Sequence, residues 1–224
     1  MAPELETHTL VRIRGPQALL RAPGSELPTW AAESIRRTPW VVIRRAQLQR
    51  GLVPVGVRGA SRHERLAAWL SPDDALEYVT PQRLVSARNW ARAAAAAALR
   101  HRDIPALAVR DPVERIMAEN GLAKLWGPAG SVGFELATGQ PTATASSDLD
   151  LVVELARPEL IAGNALSLWS ALTALPARVD VLLETPRGAV ALSEYARARA
   201  GNNQRSFVLR TATGPRLIDS FAGL

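Results

Sequence analysis

Trp126-Gly127-Pro128-Ala129-Gly130-Ser131-Val132-Gly133-Phe134-Glu135-Leu136-Ala137-Thr138-Gly139, continued at Ser147-Asp148-Leu149-Asp150-Leu151, is the stretch that decides the fold. Leu122 to Trp126 reads as a strand. In the turn that follows, Gly130 lets backbone N–H groups close on an anion and Ser131 adds a hydroxyl donor. Val132 to Leu136 reads as a short helix, so its N-terminus points at that anion. Beyond it, Asp148 to Val153 has the period of a strand, which sends Asp148 and Asp150 to one face and Leu149, Leu151 and Val153 to the other. A third carboxylate, Asp180, lies in a second strand-like run, Arg178-Val179-Asp180-Val181-Leu182-Leu183. If the two strands pair, the three acids meet. Such a trio can share two divalent cations about 3.5–4 Å apart, the arrangement suited to nucleotidyl transfer from a polyphosphate.

A Gly-Ser is usually only a turn and an Asp-x-Asp only a solvated edge or a cap. The order of the pieces and the apolar runs that carry the acids give the combination its weight. It resembles the polymerase-β-type nucleotidyltransferases. The full string is more specifically similar to the malonate decarboxylase holo-acyl-carrier-protein synthases, also called phosphoribosyl-dephospho-CoA transferases. Val53-Pro54-Val55-Gly56-Val57-Arg58-Gly59, Asp180 to Ala189, and Arg210-Thr211 with Gly214-Pro215-Arg216-Leu217 point the same way. The resemblance implies a donor, 2'-(5''-triphosphoribosyl)-3'-dephospho-CoA, and an acceptor serine on the apo acyl carrier subunit of malonate decarboxylase. It also implies a phosphodiester product and release of pyrophosphate. Asp148, Asp150 and Asp180 are then the catalytic and metal-binding residues, for Mg2+ or alternatively Mn2+. Gly130 and Ser131 bind the donor phosphates. Arg187, Arg210 and Arg216 are further substrate-binding candidates, because a guanidinium grips phosphate oxygens in pairs. From Ser131 to Asp148 is 17 positions, and Thr138 to Ser147 has the residues of a loop, expected to border the donor. Glu135 and Glu154 read as a helix surface and a strand end. Lys124 reads as a solvent-facing strand residue.

The chain has 224 residues, 47% of them hydrophobic, and a mean hydropathy of −0.01, so it can bury a sizeable core. No apolar stretch approaches a membrane span, and Met1 to Arg14 lacks the pattern of a signal peptide; the expected location is the cytoplasm. Without cysteine there is neither disulfide nor thiolate metal site, and His8, His63 and His101 form no cluster. The net charge of +6 and pI near 11.0 could suggest a nucleic-acid binder. Residues 1–80 and 81–224 each carry +3, however, without a basic tail or stripe, which argues against that partner. The competing readings are a general nucleotidyltransferase using ATP or CTP on another hydroxyl, and a non-enzymatic nucleic-acid-binding protein.

The expected architecture is α+β. A small α/β N-terminal domain, residues 1–80, would recognise carrier or substrate and precede the nucleotidyltransferase domain, residues 81–224, a mixed sheet flanked by helices. In the first, Trp40 to Arg44 and Leu52 to Val57 read as an edge hairpin. Ser61 and Glu64 read as the capping box of a helix carrying Leu66, Ala67, Trp69 and Leu70. Asp73 to Tyr78 reads as a second helix. In the second, helices are expected at Gln82–His101, Asp111–Asn120, Pro158–Leu175 and Ser193–Ala200. Leu160, Ile161, Leu166, Trp169, Leu172 and Leu175 would form the packed face of the third. Phe207 to Thr211 and Arg216 to Ile218 read as a terminal hairpin.

Overall fold

Period-two alternation of Val, Ile and Leu builds two separate six-stranded sheets in the computed structural model, which describes residues 6–21, 25–61, 63–200 and 206–220. The chain divides into units of residues 1–80 and 81–224, and the fold is α+β.

The first unit runs β1 (Leu10–Ile13), β2 (Leu19–Leu20), α1 (Thr29–Arg37), β3 (Trp40–Ile43), β4 (Val53–Arg58), β5 (Arg65–Leu70) and β6 (Ala75–Val79). Its sheet has the order β2-β5-β4-β3-β1-β6, with every pair antiparallel. Val11, Ile13, Val41, Ile43, Val53, Val55, Val57, Ala68 and Leu70 cover one face, on which Ala31 and Ile35 of α1 pack. This unit is mainly β, and three expectations fail in it. The expected helix after Ser61 is strand β5. Its apolar residues Leu66, Ala68 and Leu70 alternate toward the core, and a six-residue ladder to β4 outweighs local helix preference. Part of the capping chemistry survives in another role. The Ser61 N–H donates to Glu64 Oε2 at 2.9 Å and the Gly59 N–H to the Glu64 carbonyl at 2.8 Å, closing the β4–β5 hairpin. Arg62 of that expected helix lies outside the described residues. The expected helix at Asp73–Tyr78 is a 3-10 turn, Pro72–Asp74, followed by β6 on β1. The β3–β4 pair does form, but in the middle of the sheet.

The second unit runs α2 (Ala87–Leu99), α3 (Pro105–Ala108), α4 (Arg110–Glu119), β7 (Trp126–Pro128), α5 (Gly130–Thr138), β8 (Leu149–Glu154), α6 (Ala165–Thr173), β9 (Val179–Thr185), β10 (Gly188–Ala191), α7 (Leu192–Arg199), β11 (Phe207–Thr211) and β12 (Gly214–Ile218). The sheet order is β12-β11-β10-β9-β8-β7, and β8–β9 is its parallel pair. That pairing needs a crossover, and α6 supplies it. The alanine-rich segment is a packed helix: Trp90, Ala93 and Ala97 are buried and the Trp90 indole N–H donates to the Leu84 carbonyl at 3.1 Å. Its first residues instead form a 3-10 turn, Pro81–Leu84. Gly127 has no room for a side chain, since a Cβ there would lie 2.1 Å from the Pro81 carbonyl carbon, which lets β7 run against that turn.

The strand expected from Leu122 begins only at Trp126, and Lys124 stands in an exposed turn before it. The helix expected at Pro158–Leu175 is a 3-10 turn, Pro158–Ile161, and then α6. Ile161 and Leu172 are buried as expected, but Leu160 and Leu166 are exposed and Leu168 takes the inward position. Trp169 is half-buried beneath the Arg197 guanidinium, 5.1 Å from its ring centre. The terminal hairpin pairs from Phe207–Ile218 to Thr211–Gly214. Among the described residues no helix is long and apolar enough to cross a membrane.

Candidate active site

Buried Leu149, Leu151 and Val153 on β8 alternate with Asp150, and Val179, Val181 and Leu183 on β9 with Asp180, so both acids lie on the face opposite these residues, where Val152 is also buried. The parallel register sets Asp150 directly beside Asp180. Asp148 comes just before β8, and its neighbour Leu149 is fixed by donating to the Arg178 carbonyl at 2.8 Å. The structure thus brings the three acids to one end of the β8–β9 pair.

Gly130 and Ser131 open α5 at the same place. The Ala129 N–H donates to the Asp150 carbonyl at 2.8 Å, and Gly130 has φ 59°. A Cβ at Gly130 would lie 1.9 Å from Asp150 Oδ2, so only glycine lets the carboxylate lie against this turn. The Ser131 hydroxyl donates to Ser147 Oγ at 3.3 Å, and Ser147 Oγ accepts the Thr144 N–H at 2.9 Å. The loop after α5 therefore folds back over the first turn of the helix. Hydroxyls and helix N–H groups of the sort that bind phosphate stand beside the acids.

Two features of the site escaped the sequence reading. Arg178 spans the acids, with Nη1 3.6 Å from Asp148 Oδ2 and Nη2 3.0 Å from Asp180 Oδ2. Its side chain is 70% exposed. The signal was available: Arg178 lies two residues before Asp180, and the strand period puts both on one face. The second feature is Glu135, which is not a helix surface residue. It is 4% exposed and forms a fork with Arg102, both N···O distances being 2.9 Å. Burial alone would raise its pKa. The bonds from Arg102 and from the Ala143 and Thr142 N–H groups, with the Arg102 charge, outweigh burial and hold the carboxyl below its ordinary range. The bond to Glu135 raises the Arg102 pKa in turn.

The three arginines expected to bind substrate are not brought to the acids. Arg187 is exposed in the β9–β10 turn, at the far end of β9 from Asp180. Arg210 is level with Glu184 through Ala189, four residues along β9 from Asp180, or about 13 Å at ~3.3 Å per residue. Its Nη2 is 2.6 Å from Glu194 Oε1. Arg216 is exposed on β12, the edge strand three places from β9. Glu154 ends β8 as expected.

With this geometry in hand, comparison with known proteins is decisive. Residues 83–220 match the family model described as phosphoribosyl-dephospho-CoA transferase MdcG C-terminal domain, and residues 6–81 match its N-terminal domain. The chain belongs to the phosphoribosyl-dephospho-CoA transferase family. A relative of that name from Azotobacter vinelandii is 40% identical over 192 residues, covering 85% of this chain and 84% of the relative. One from Pseudomonas putida is 38% identical, covering 87% and 85%, and one from Klebsiella pneumoniae 36%, covering 84% and 83%. No solved structure matches. This member of the family is accordingly a transferase, and the non-enzymatic reading is set aside.

Proposed function

We propose that the protein transfers phosphoribosyl-dephospho-CoA from 2'-(5''-triphosphoribosyl)-3'-dephospho-CoA to a serine of the apo acyl carrier subunit of malonate decarboxylase. The observation that carries this reading is the register of Asp150 beside Asp180, with the Gly130 cradle against Asp150. The names of the relatives support the transferred group. The order strand, phosphate turn, helix, carboxylate strand, then a parallel strand with a third acid, supports a polymerase-β-type plan for the second unit.

In the reaction the serine oxygen forms a bond to the α-phosphorus of the donor as the bond to the β-phosphate oxygen breaks. The pyrophosphate leaves with that electron pair. Asp180 accepts the serine proton, for which a half-exposed carboxylate near the start of β9 is suited. Ser131 and the first N–H groups of α5 hold the terminal phosphates.

Three carboxylates at one strand end are a hard-oxygen donor set, the chemistry that selects Mg2+ or Mn2+. Among the described residues no three acids, histidines or cysteines already form a metal-holding group. Arg178 supplies the positive charge between Asp148 and Asp180 in their place, so the carboxylates are already matched to a cation. Asp148, Asp150 and Asp180 would hold the metal, which would neutralise the triphosphate and the departing pyrophosphate. When the donor's phosphates arrive, Arg178 exchanges its exposed carboxylate contacts for phosphate oxygens.

Intact-protein mass spectrometry of the apo carrier, incubated with enzyme, Mg2+ and the triphosphoribosyl donor, tests the proposal. We expect the carrier to gain the mass of phosphoribosyl-dephospho-CoA, and Asp148→Ala or Asp150→Ala to abolish the gain while remaining folded. Modification by ATP or CTP instead would mark a general nucleotidyltransferase. Full activity in both purified variants would overturn the site.

A further inference from the structure

We propose that the buried Arg102–Glu135 pair is a positioning device for the donor-phosphate side of the site, a role that rests on the function proposed above. Glu135 lies on α5 one turn after Ser131, between buried Val132 and Leu136. A carboxylate in such surroundings is costly unless it is charge-paired and hydrogen-bonded. Here its oxygens accept four donors: two from the Arg102 fork and two from the Thr142 and Ala143 N–H groups, each at 2.9 Å. Arg102 Nη2 also donates to the Ala143 carbonyl. One ionised group therefore gathers α5, the α2–α3 connection and the loop from Gly139 to Ser147. Apolar packing could cover this helix, but it would lack the directions that fix two successive loop amides.

What those amides hold is the hydroxyl-bearing stretch of the loop. Thr142 Oγ1 donates to the Ser131 carbonyl at 2.8 Å. Further on, Ser147 Oγ meets the Ser131 hydroxyl and the Thr144 N–H. The acids are anchored separately, because Leu149 is bonded to Arg178 and the β8–β9 ladder continues through Glu154. The clamp accordingly governs binding of the donor's phosphates more than the chemical step. It should act on donor KM and leave kcat and carrier KM nearly unchanged.

The full-length protein tests this with Glu135→Gln, which keeps the native shape, and Arg102→Gln, which removes the guanidinium fork. Arg92→Gln is the control, since it removes a bond to the Leu136 carbonyl on the same helix without touching the loop. In each clamp variant we expect amide hydrogen exchange over residues 139–147 to quicken at least tenfold with β8 and β9 unchanged. Donor KM should rise at least tenfold, with kcat within threefold. Calorimetric affinity for inorganic triphosphate should fall by a similar factor, a readout independent of turnover. Unchanged loop exchange, a fall in kcat without a change in donor KM, or the same donor effect from Arg92→Gln would overturn the proposal. Should the native protein modify no carrier, the acceptor proposed above fails on its own evidence, while loop exchange and triphosphate affinity still decide the clamp.

Discussion

At the scale of the residue, Gly130 and Arg178 make different predictions: both affect activity, but only the first affects stability. Gly130→Ala forces a side chain into a left-handed conformation and against Asp150. The backbone strain costs about 1–3 kcal/mol. The displaced carboxylate should lower kcat by ~100-fold, the scale of loss for a misplacement of about 1 Å. A thermal melt and steady-state kinetics check both numbers, and a fully active alanine variant would remove Asp150 from the chemistry. Arg178 is exposed, so its pairs with Asp148 and Asp180 contribute no more than about 1 kcal/mol. Arg178→Ala should barely shift the melting temperature while donor KM rises about tenfold or more. A large loss of stability with unchanged kinetics would make it a structural residue instead.

At the scale of the element, helix α5 and its return loop depend on a carboxylate that must stay ionised. Glu135 has its pKa held below the ordinary range, so the folded state binds its proton less readily than the unfolded chain. Its stabilisation is complete above the unfolded pKa and is lost as pH falls through the lowered folded value. Glu135→Ala should cost about 3 kcal/mol at neutral pH, the lower part of the range for a half-broken buried pair, because Arg102 reaches solvent. The variant should also flatten the acid limb of the stability curve, measured by urea unfolding between neutral pH and the acid transition. Identical acid limbs in both proteins would show that the pair contributes nothing. The elements themselves were unequally legible. β8, β9, α5 and the terminal hairpin carry clean periods and the chemistry that fixes their ends, and the acids could be read from alternation alone. The first unit was harder: Leu66, Ala67, Trp69 and Leu70 fit a helical face nearly as well as Leu66, Ala68 and Leu70 fit a strand, and only the ladder to β4 decides between them. The clamp was invisible because Arg102 lies 33 positions from Glu135 and no local pattern joins them.

At the scale of the whole molecule, the parallel pairing of β8 with β9 joins residues thirty positions apart, Asp150 and Asp180, through a crossover. A slip of one residue would turn the carboxylates into the core and the buried valines and leucines out, so the hydrophobic interior enforces the register that sets Asp150 beside Asp180. The pairing is also of high contact order, and contacts of that kind form late and together with the rest of the core. After dilution from denaturant, recovery of activity should therefore follow the same rate as recovery of tryptophan fluorescence, with Trp126 buried beside β8 as reporter. A separate, slower activity phase would mean that the acids assemble after the core has closed. Coincident rates carry a meaning for the living cell: the half-made polypeptide is chemically inert. A ribosome-bound or truncated chain ending before β9 has at most two of its three acids and nothing to hold them in register. Premature chemistry at the proposed site is thereby excluded by topology alone, without any inhibitor.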